Sequence, residues 1–253
     1  MRYRVKEIGI HILAFMVARC SLLGMYPFVV PFFMAAYLKD MSSISVFIAL
    51  LLGVLSTFSG EEVLRYAITL VFMLVMLNKT DREKIFSGNF QIALASGMIL
   101  WGVSMPFEYV VTGRVISIAY TFLEGIIAGS MTLVFEQGFD ALRVGTNRMF
   151  ADDRRFIGLF ALMAAGLFGC PAVSEPLPLT YIVAGYVLLY NAYRFDGGVG
   201  IATGSLAGVV LSLWSGHISF LGVMIALAGL IVILKDLGKP GVLLAYVGGT
   251  VLL

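Results

Sequence analysis

A glutamate stands near the middle of a largely apolar run from 115 to about 139, and it is the first residue here to ask about chemistry. A carboxylate near the middle of a bilayer is costly, so such groups are functional candidates by default. Glu124 has three readings: an ion or proton site, a protonated or hydrogen-bonded structural carboxyl facing other helices, or half of a buried pair with Arg19 or Arg65. Those two arginines lie within a turn or two of a span end, where snorkelling to the interface is the ordinary behaviour. Gly125 and Gly129 follow Glu124 as a small-xxx-small pair, which predicts close helix packing at that depth.

The other reactive residue types do not assemble into sites. His11 and His217 are isolated. Cys20 and Cys170 sit in separate apolar segments with no metal or disulfide spacing. Gly198, Gly200 and Gly204 do not match a dinucleotide fingerprint, and no strand precedes them. Asn78-Lys79-Thr80 fits a glycosylation sequon but falls in a loop read as cytoplasmic. No Ser-His-Asp set, clefted carboxylate pair or phosphate loop is present, so no catalytic and no metal-ligating residues are assigned, and no cofactor is expected in this chain.

The elements that would hold Glu124 are membrane helices. Of 253 residues, 60% are hydrophobic and 13% charged, against about 25% charged in soluble domains. Runs near the roughly 20 residues that a spanning helix needs recur along the chain, and the short alternating segments of a membrane barrel are absent. The fold class is all-α, a polytopic transmembrane bundle of about ten spans, with residues 1–253 as one multi-pass membrane domain. Spans are expected at 8–23, 28–38, 43–58, 60–77, 90–105, 115–139, 156–170, 179–193, 196–216 and 218–234. The segment 28–38, with Pro31, is either a short span or re-entrant. Turns are expected at 24–27, 39–40, 106–113, 171–178 and 235–240, and hydrophilic loops at 78–89 and 140–155. The piece 241–253 is apolar but too short to span, as if the chain ended inside an element.

Gly200, Gly204 and Gly208 recur every four residues and so share one helix face, a smooth stripe for close packing against another helix. Tyr109, Tyr181, Tyr190, Tyr193 and Trp214 fall near span ends, as interfacial anchors do. Placing the N-terminus and the turns at 39, 78–89, 140–155, 194 and 235–239 on one side gathers 14 of the 17 basic residues there. The opposite turns hold only Arg114. This bias puts the N-terminus in the cytoplasm, provided that 28–38 crosses. Basic residues form no stripe, so nucleic acid is not an expected partner.

Three stretches resemble one family when taken in order. ARCSLLGMYPFVVPFFMAAYL, from Ala18 to Leu38, is similar to the segment opening the membrane region of the stage II sporulation protein E (SpoIIE) family. NAYRFDGGVGIATGSLAGVVLSLWSG, from Asn191 to Gly216, resembles its glycine-rich span, and LKDLGKPGVLLAYVGGTVLL, from Leu234 to Leu253, its last span. The resemblance implies a ten-span membrane region in an endospore-forming bacterium. It implies a following cytoplasmic part that self-assembles and meets the division protein FtsZ. It also implies a C-terminal manganese-dependent PP2C-type serine/threonine phosphatase. That phosphatase would act on an anti-anti-sigma factor at the asymmetric septum and so free the first forespore sigma factor. Neither cytoplasmic region lies within these residues, so manganese is expected only outside them. Asp196-Gly197-Gly198 has no second aspartate nearby and is not read as a metal site.

The expected role is therefore a lipid-embedded anchoring, septum-localising and self-associating domain that is not itself an enzyme. The alternative is a small-molecule or ion transporter with Glu124 in its pathway.

Overall fold

The structure is a computed structural model and describes residues 2–21, 25–41, 43–57, 60–79, 89–112, 115–143, 153–169, 179–195 and 197–252. Asp196, Arg114, Arg148, Cys170 and the turn 171–178 lie outside these, as does most of the loop 78–89. The described residues are helical throughout their regular elements, and the chain divides into two compact units, Met1–Gly169 and Cys170–Leu253.

The first unit holds α1 (Arg2–Ala18), α2 (Val29–Leu38), α3 (Ser43–Leu55), α4 (Gly60–Lys79), α5 (Asn89–Thr112), α6 (Val115–Arg143) and α7 (Asp153–Gly169). Side-chain pairings give their directions. His11 Nε2 lies 2.7 Å from Ser45 Oγ, and Arg19 Nη1 donates to Ser56 Oγ further along, so α1 and α3 run parallel. The Tyr26 N–H donates to Tyr66 Oη at 2.7 Å and Tyr37 Oη to the Leu77 carbonyl at 2.8 Å, so α2 and α4 run parallel. Phe32 meets Phe135 and Phe139 edge-on, and Lys39 reaches Glu136 and Asp140, so α6 shares that direction. Antiparallel to α6 runs α5, with Thr132 Oγ1 bonded to Ser96 Oγ and Trp101 edge-on to Phe122. The chain thus turns back on itself from α1 to α2 and again into α3, and the segment 28–38 carries it to the side on which α1 began.

Helix α2 has only ten residues, about 15 Å at 1.5 Å per residue, half of the roughly 30 Å hydrocarbon thickness. Its sequence VVPFFMAAYL is apolar all round, which is the pattern of a helix buried on every side. Val29 to Tyr37 are all buried. Pro31 falls in the first turn, where its missing N–H costs no helical bond. The non-helical residues Met25 to Pro27 are also buried, consistent with the rule that irregular backbone at membrane depth is tolerated only inside protein.

Proline also corrects one expected boundary. A turn was expected over 106–113, but α5 runs through Pro106 to Thr112. Proline unpairs the carbonyl four residues earlier and crowds it; that residue is Gly102, with open space around it, so the ring can be accommodated. Likewise α6 extends past 139 to Arg143, which puts Asp140 on a helix rather than in a loop.

Small residues set the spacing of neighbours. A Cβ on Gly97 would stand 2.5 Å from the Gly125 carbonyl oxygen, and one on Gly129 would stand 2.7 Å from that of Ala93. Backbones this close leave no room for any side chain.

At one end of the unit, Lys39 Nζ sits 2.8 Å from Asp140 Oδ2 and 3.0 Å from Glu136 Oε1. Burial works against the ammonium charge. The hydrogen bonds and charges of Asp140 and Glu136 outweigh it and hold Lys39 above the ordinary amine range. A pKa raised on folding stabilises fully below the unfolded value and is lost as pH rises through the folded one. The expected result is an alkaline loss of thermal stability that begins in the ordinary lysine range and continues up to the raised value, and that Lys39→Met no longer shows. Thermal melts across alkaline pH check this, and an unchanged alkaline limb in the variant would refute it.

The second unit holds α8 (Leu179–Arg194), α9 (Gly197–Ser215), α10 (Ser219–Leu234), a 3-10 turn (Lys235–Leu237) and α11 (Gly238–Leu252). The expected turn at 235–240 is shorter than read, because Gly238, at φ 73°, lets the chain start a new helix directly. Four stretches among the described residues are long and apolar enough to cross a membrane: Gln91–Val111, Ile118–Arg143, Gly197–Ser215 and Ser219–Thr250.

Candidate functional site

Polar groups gather where α4, α5 and α6 meet the start of α2. Arg65 is on the second turn of α4, and its guanidinium is the hub. Nη1 lies 3.1 Å from Glu108 Oε1, Nη2 lies 3.4 Å from Glu124 Oε2, and Nη2 donates to Tyr66 Oη at 2.8 Å. Tyr66 Oη donates to Glu124 Oε1 and accepts from the Tyr26 backbone N–H. Its ring meets Tyr26 edge-on at 5.4 Å between centroids.

Burial makes this arrangement consequential. Glu124 is 0% exposed, Tyr66 0% and Arg65 3%. A charge removed from water is tolerated only when paired and hydrogen-bonded. Arginine keeps its proton, and its fork of donors suits two carboxylates at once. The pairing left open between Arg19 and Arg65 is made with Arg65.

Neither arginine snorkels. Arg19 is 6% exposed; it donates to Ser56 Oγ and lies 5.5 Å from the Phe15 ring centroid. The reason is local: α1 stops at Ala18 while the chain turns inward toward α2, so Arg19 is enclosed by protein.

Two members of the cluster were not singled out from the sequence. Glu108 was assigned to a turn because Pro106 precedes it; the continuing helix brings it to Arg65. Tyr66 carries a signal in the sequence only as a tyrosine directly beside an intramembrane arginine.

The glycines lie where close approach demands them. Gly125 and Gly129 meet α5, as given above. In the second unit a Cβ on Gly204 would stand 2.6 Å from the Met224 carbonyl oxygen, on Gly208 2.8 Å from Leu221 Cα, and on Gly200 2.9 Å from Val232 Cγ2. These partners run backward along α10, so α9 and α10 are antiparallel. The stripe is filled by the chain's own next helix.

Chemically, the cluster holds charge and hydrogen bonds. Glu124→Gln is expected to leave insertion intact while lowering stability by about 1–3 kcal/mol, because Arg65 keeps Glu108 but loses a charge-assisted partner. Thermal unfolding of the purified variant measures this, and an unaltered melting point would show the pair to be idle.

The family model described as "SpoIIE, N-terminal domain" matches residues 2–253. No curated protein and no solved structure matches the chain.

Proposed function

The chain belongs to the SpoIIE N-terminal domain family, and from that premise we propose that it is the multi-pass membrane platform of a sporulation-specific PP2C-type serine/threonine phosphatase. It anchors the enzyme, concentrates it at the asymmetric septum and assists its self-association. It contributes no chemistry of its own. The phosphatase, its manganese, and contact with FtsZ and with the anti-anti-sigma factor belong to cytoplasmic regions outside these residues.

The family match over 2–253 is the observation that carries this reading. The alternation of helix directions in the first unit supports it. It places Lys39, Lys79 and Arg143 at one end with the start of α1, which by the positive-inside rule is the cytoplasmic end. That orientation puts the Arg65 cluster toward the outside. Anchoring alone needs one span, so a bundle of this size points to lateral assembly.

The reading frame beyond Leu253 is a direct test: a PP2C-type domain there supports the proposal, and a stop codon there counts against it. A fluorescent fusion of residues 1–253 is expected to enrich at the asymmetric septum of sporulating cells. Uniform membrane fluorescence would remove the localising role.

A further inference from the structure

The Arg65 cluster carries more acid than base. Glu62 lies one turn before Arg65 on α4 and is half-buried, Glu108 has a side chain 18% exposed, and Glu124 is 0% exposed. Three carboxylates therefore lead from the outer end of the bundle to its interior around one guanidinium. With all three ionised the group carries two uncompensated negative charges in a medium of low dielectric. Arginine supplies no more than one positive charge, so the remainder must come from outside.

One oxygen is available for it. Glu124 Oε1 accepts from Tyr66, and the Tyr26 backbone N–H also acts on the carboxylate, whereas Oε2 is buried without a hydrogen bond of ordinary geometry and has Arg65 Nη2 at 3.4 Å. Among the described residues no three His, Cys, Asp or Glu side chains converge as a metal ion requires. The groups facing Glu124 are Glu62, Arg65 and Tyr66 from α4, Glu108 from α5 and Tyr26 from the chain before α2. The titratable residues of α7, Asp153 to Arg155, lie at its start, and α7 meets α6 near Gly138, far from Glu124.

We propose that this cluster is a proton-binding site open to the outer side of the membrane, with Glu124 as the deep acceptor. The proposal rests on the orientation given above. The step is addition of one proton, taken from external water, to Glu124 Oε2. An O–H bond forms, one negative charge is lost, and no other covalent bond changes. Protonated Glu124 releases Arg65 to Glu108 alone. Tyr66 Oη, bonded to both Glu124 and the Tyr26 N–H, passes that change to the start of α2, whose far end holds the Lys39 clamp on Glu136 and Asp140. α2 is thereby a buried strut tied at the outer side to a proton site and at the inner side to α6.

The test uses the whole chain in lipid nanodiscs, with Trp214→Phe leaving Trp101 as the sole tryptophan. Trp101 Cβ lies 3.2 Å from where a Cβ on Gly125 would stand, beside Glu124. Its fluorescence is expected to follow a single protonation step between about pH 4 and about pH 9, a range that covers ordinary and raised carboxyls. Glu124→Gln should abolish the step. Glu108→Gln should move its midpoint down by about one pH unit, a tenfold loss of proton affinity, because Arg65 then attends Glu124 alone. If Glu124→Gln does not fold, infrared difference spectra of the wild type must show a protonated-carboxyl stretch rising on acidification. A step that survives Glu124→Gln, the absence of any step in folded protein, or an equal response to sodium at fixed pH would each overturn the proposal. Incorporation into nanodiscs and the accessible side of Lys39 are scored separately, so failure of the membrane reading or of the orientation is told apart from failure of the proton site.

Discussion

Arg65→Met is expected to cost about 3–5 kcal/mol of folding free energy, the range for breaking a buried ion pair from one side. The variant leaves Glu124, 0% exposed, and Glu108 facing each other without a counter-ion, and it removes one donor to Tyr66. The loss follows from the acids left behind rather than from the net worth of the pair. A second variant separates these terms. Arg65→Met combined with Glu108→Gln and Glu124→Gln has no orphaned charge and is expected to recover most of the stability, since buried ion clusters are often replaceable by neutral residues of like size. Reversible unfolding in mixed micelles, read on the single and triple variants, gives both numbers. A single-variant loss under about 1 kcal/mol, the range of a solvated surface pair, would show that water reaches the cluster and that burial is not the governing quantity.

The sequence shows this cluster only in part, and the reason is physical. Glu124 stands out because it interrupts the middle of a long apolar run, and the cost of burying charge makes such an interruption informative. Its partner does not, because Arg65 is 59 positions away and pairing across helices depends on which faces meet. Helix spans are legible since lipid imposes a length and a composition. Their ends are less so. Pro106 reads as a stop, yet α5 continues through it above Gly102 and carries Glu108 to Arg65. Asp140 reads as loop, yet it lies on α6 within reach of Lys39. In both cases a charged residue near a helix end reads as part of a turn or loop, while a partner on another helix holds it within the structure. Gly125 and Gly129 are legible by spacing, and Ala93 and Gly97, which complete the same contact from α5, carry the same four-residue spacing with alanine in place of one glycine, a weaker signal.

Gly204→Leu is expected to disrupt the second unit more than any other single glycine change on α9. A Cβ there meets the Met224 carbonyl oxygen at 2.6 Å and Ala228 Cβ at 2.6 Å. The first contact is with backbone, which cannot rotate aside. Inserting bulk into a packed interior costs about 1–3 kcal/mol, and more where backbone must move. In lipid no hydrophobic gain offsets the parting of α9 from α10, because contact between their backbones is itself the attraction. Gly198 is the control, as a Cβ there meets nothing within 4 Å. Gly198→Leu is therefore expected to leave stability within about 0.5 kcal/mol of wild type, as for substitutions away from packed features. Cysteine pairs placed on α9 and α10 report the outcome through crosslinking yield, which should fall in Gly204→Leu and persist in Gly198→Leu. Since the chain's own α10 fills this stripe, the proposed self-association has to use another surface, and oligomer size is expected to survive Gly204→Leu wherever the rest of the fold does. A variant that keeps full crosslinking but loses oligomers would reverse that argument and return the glycine face to the interface between copies.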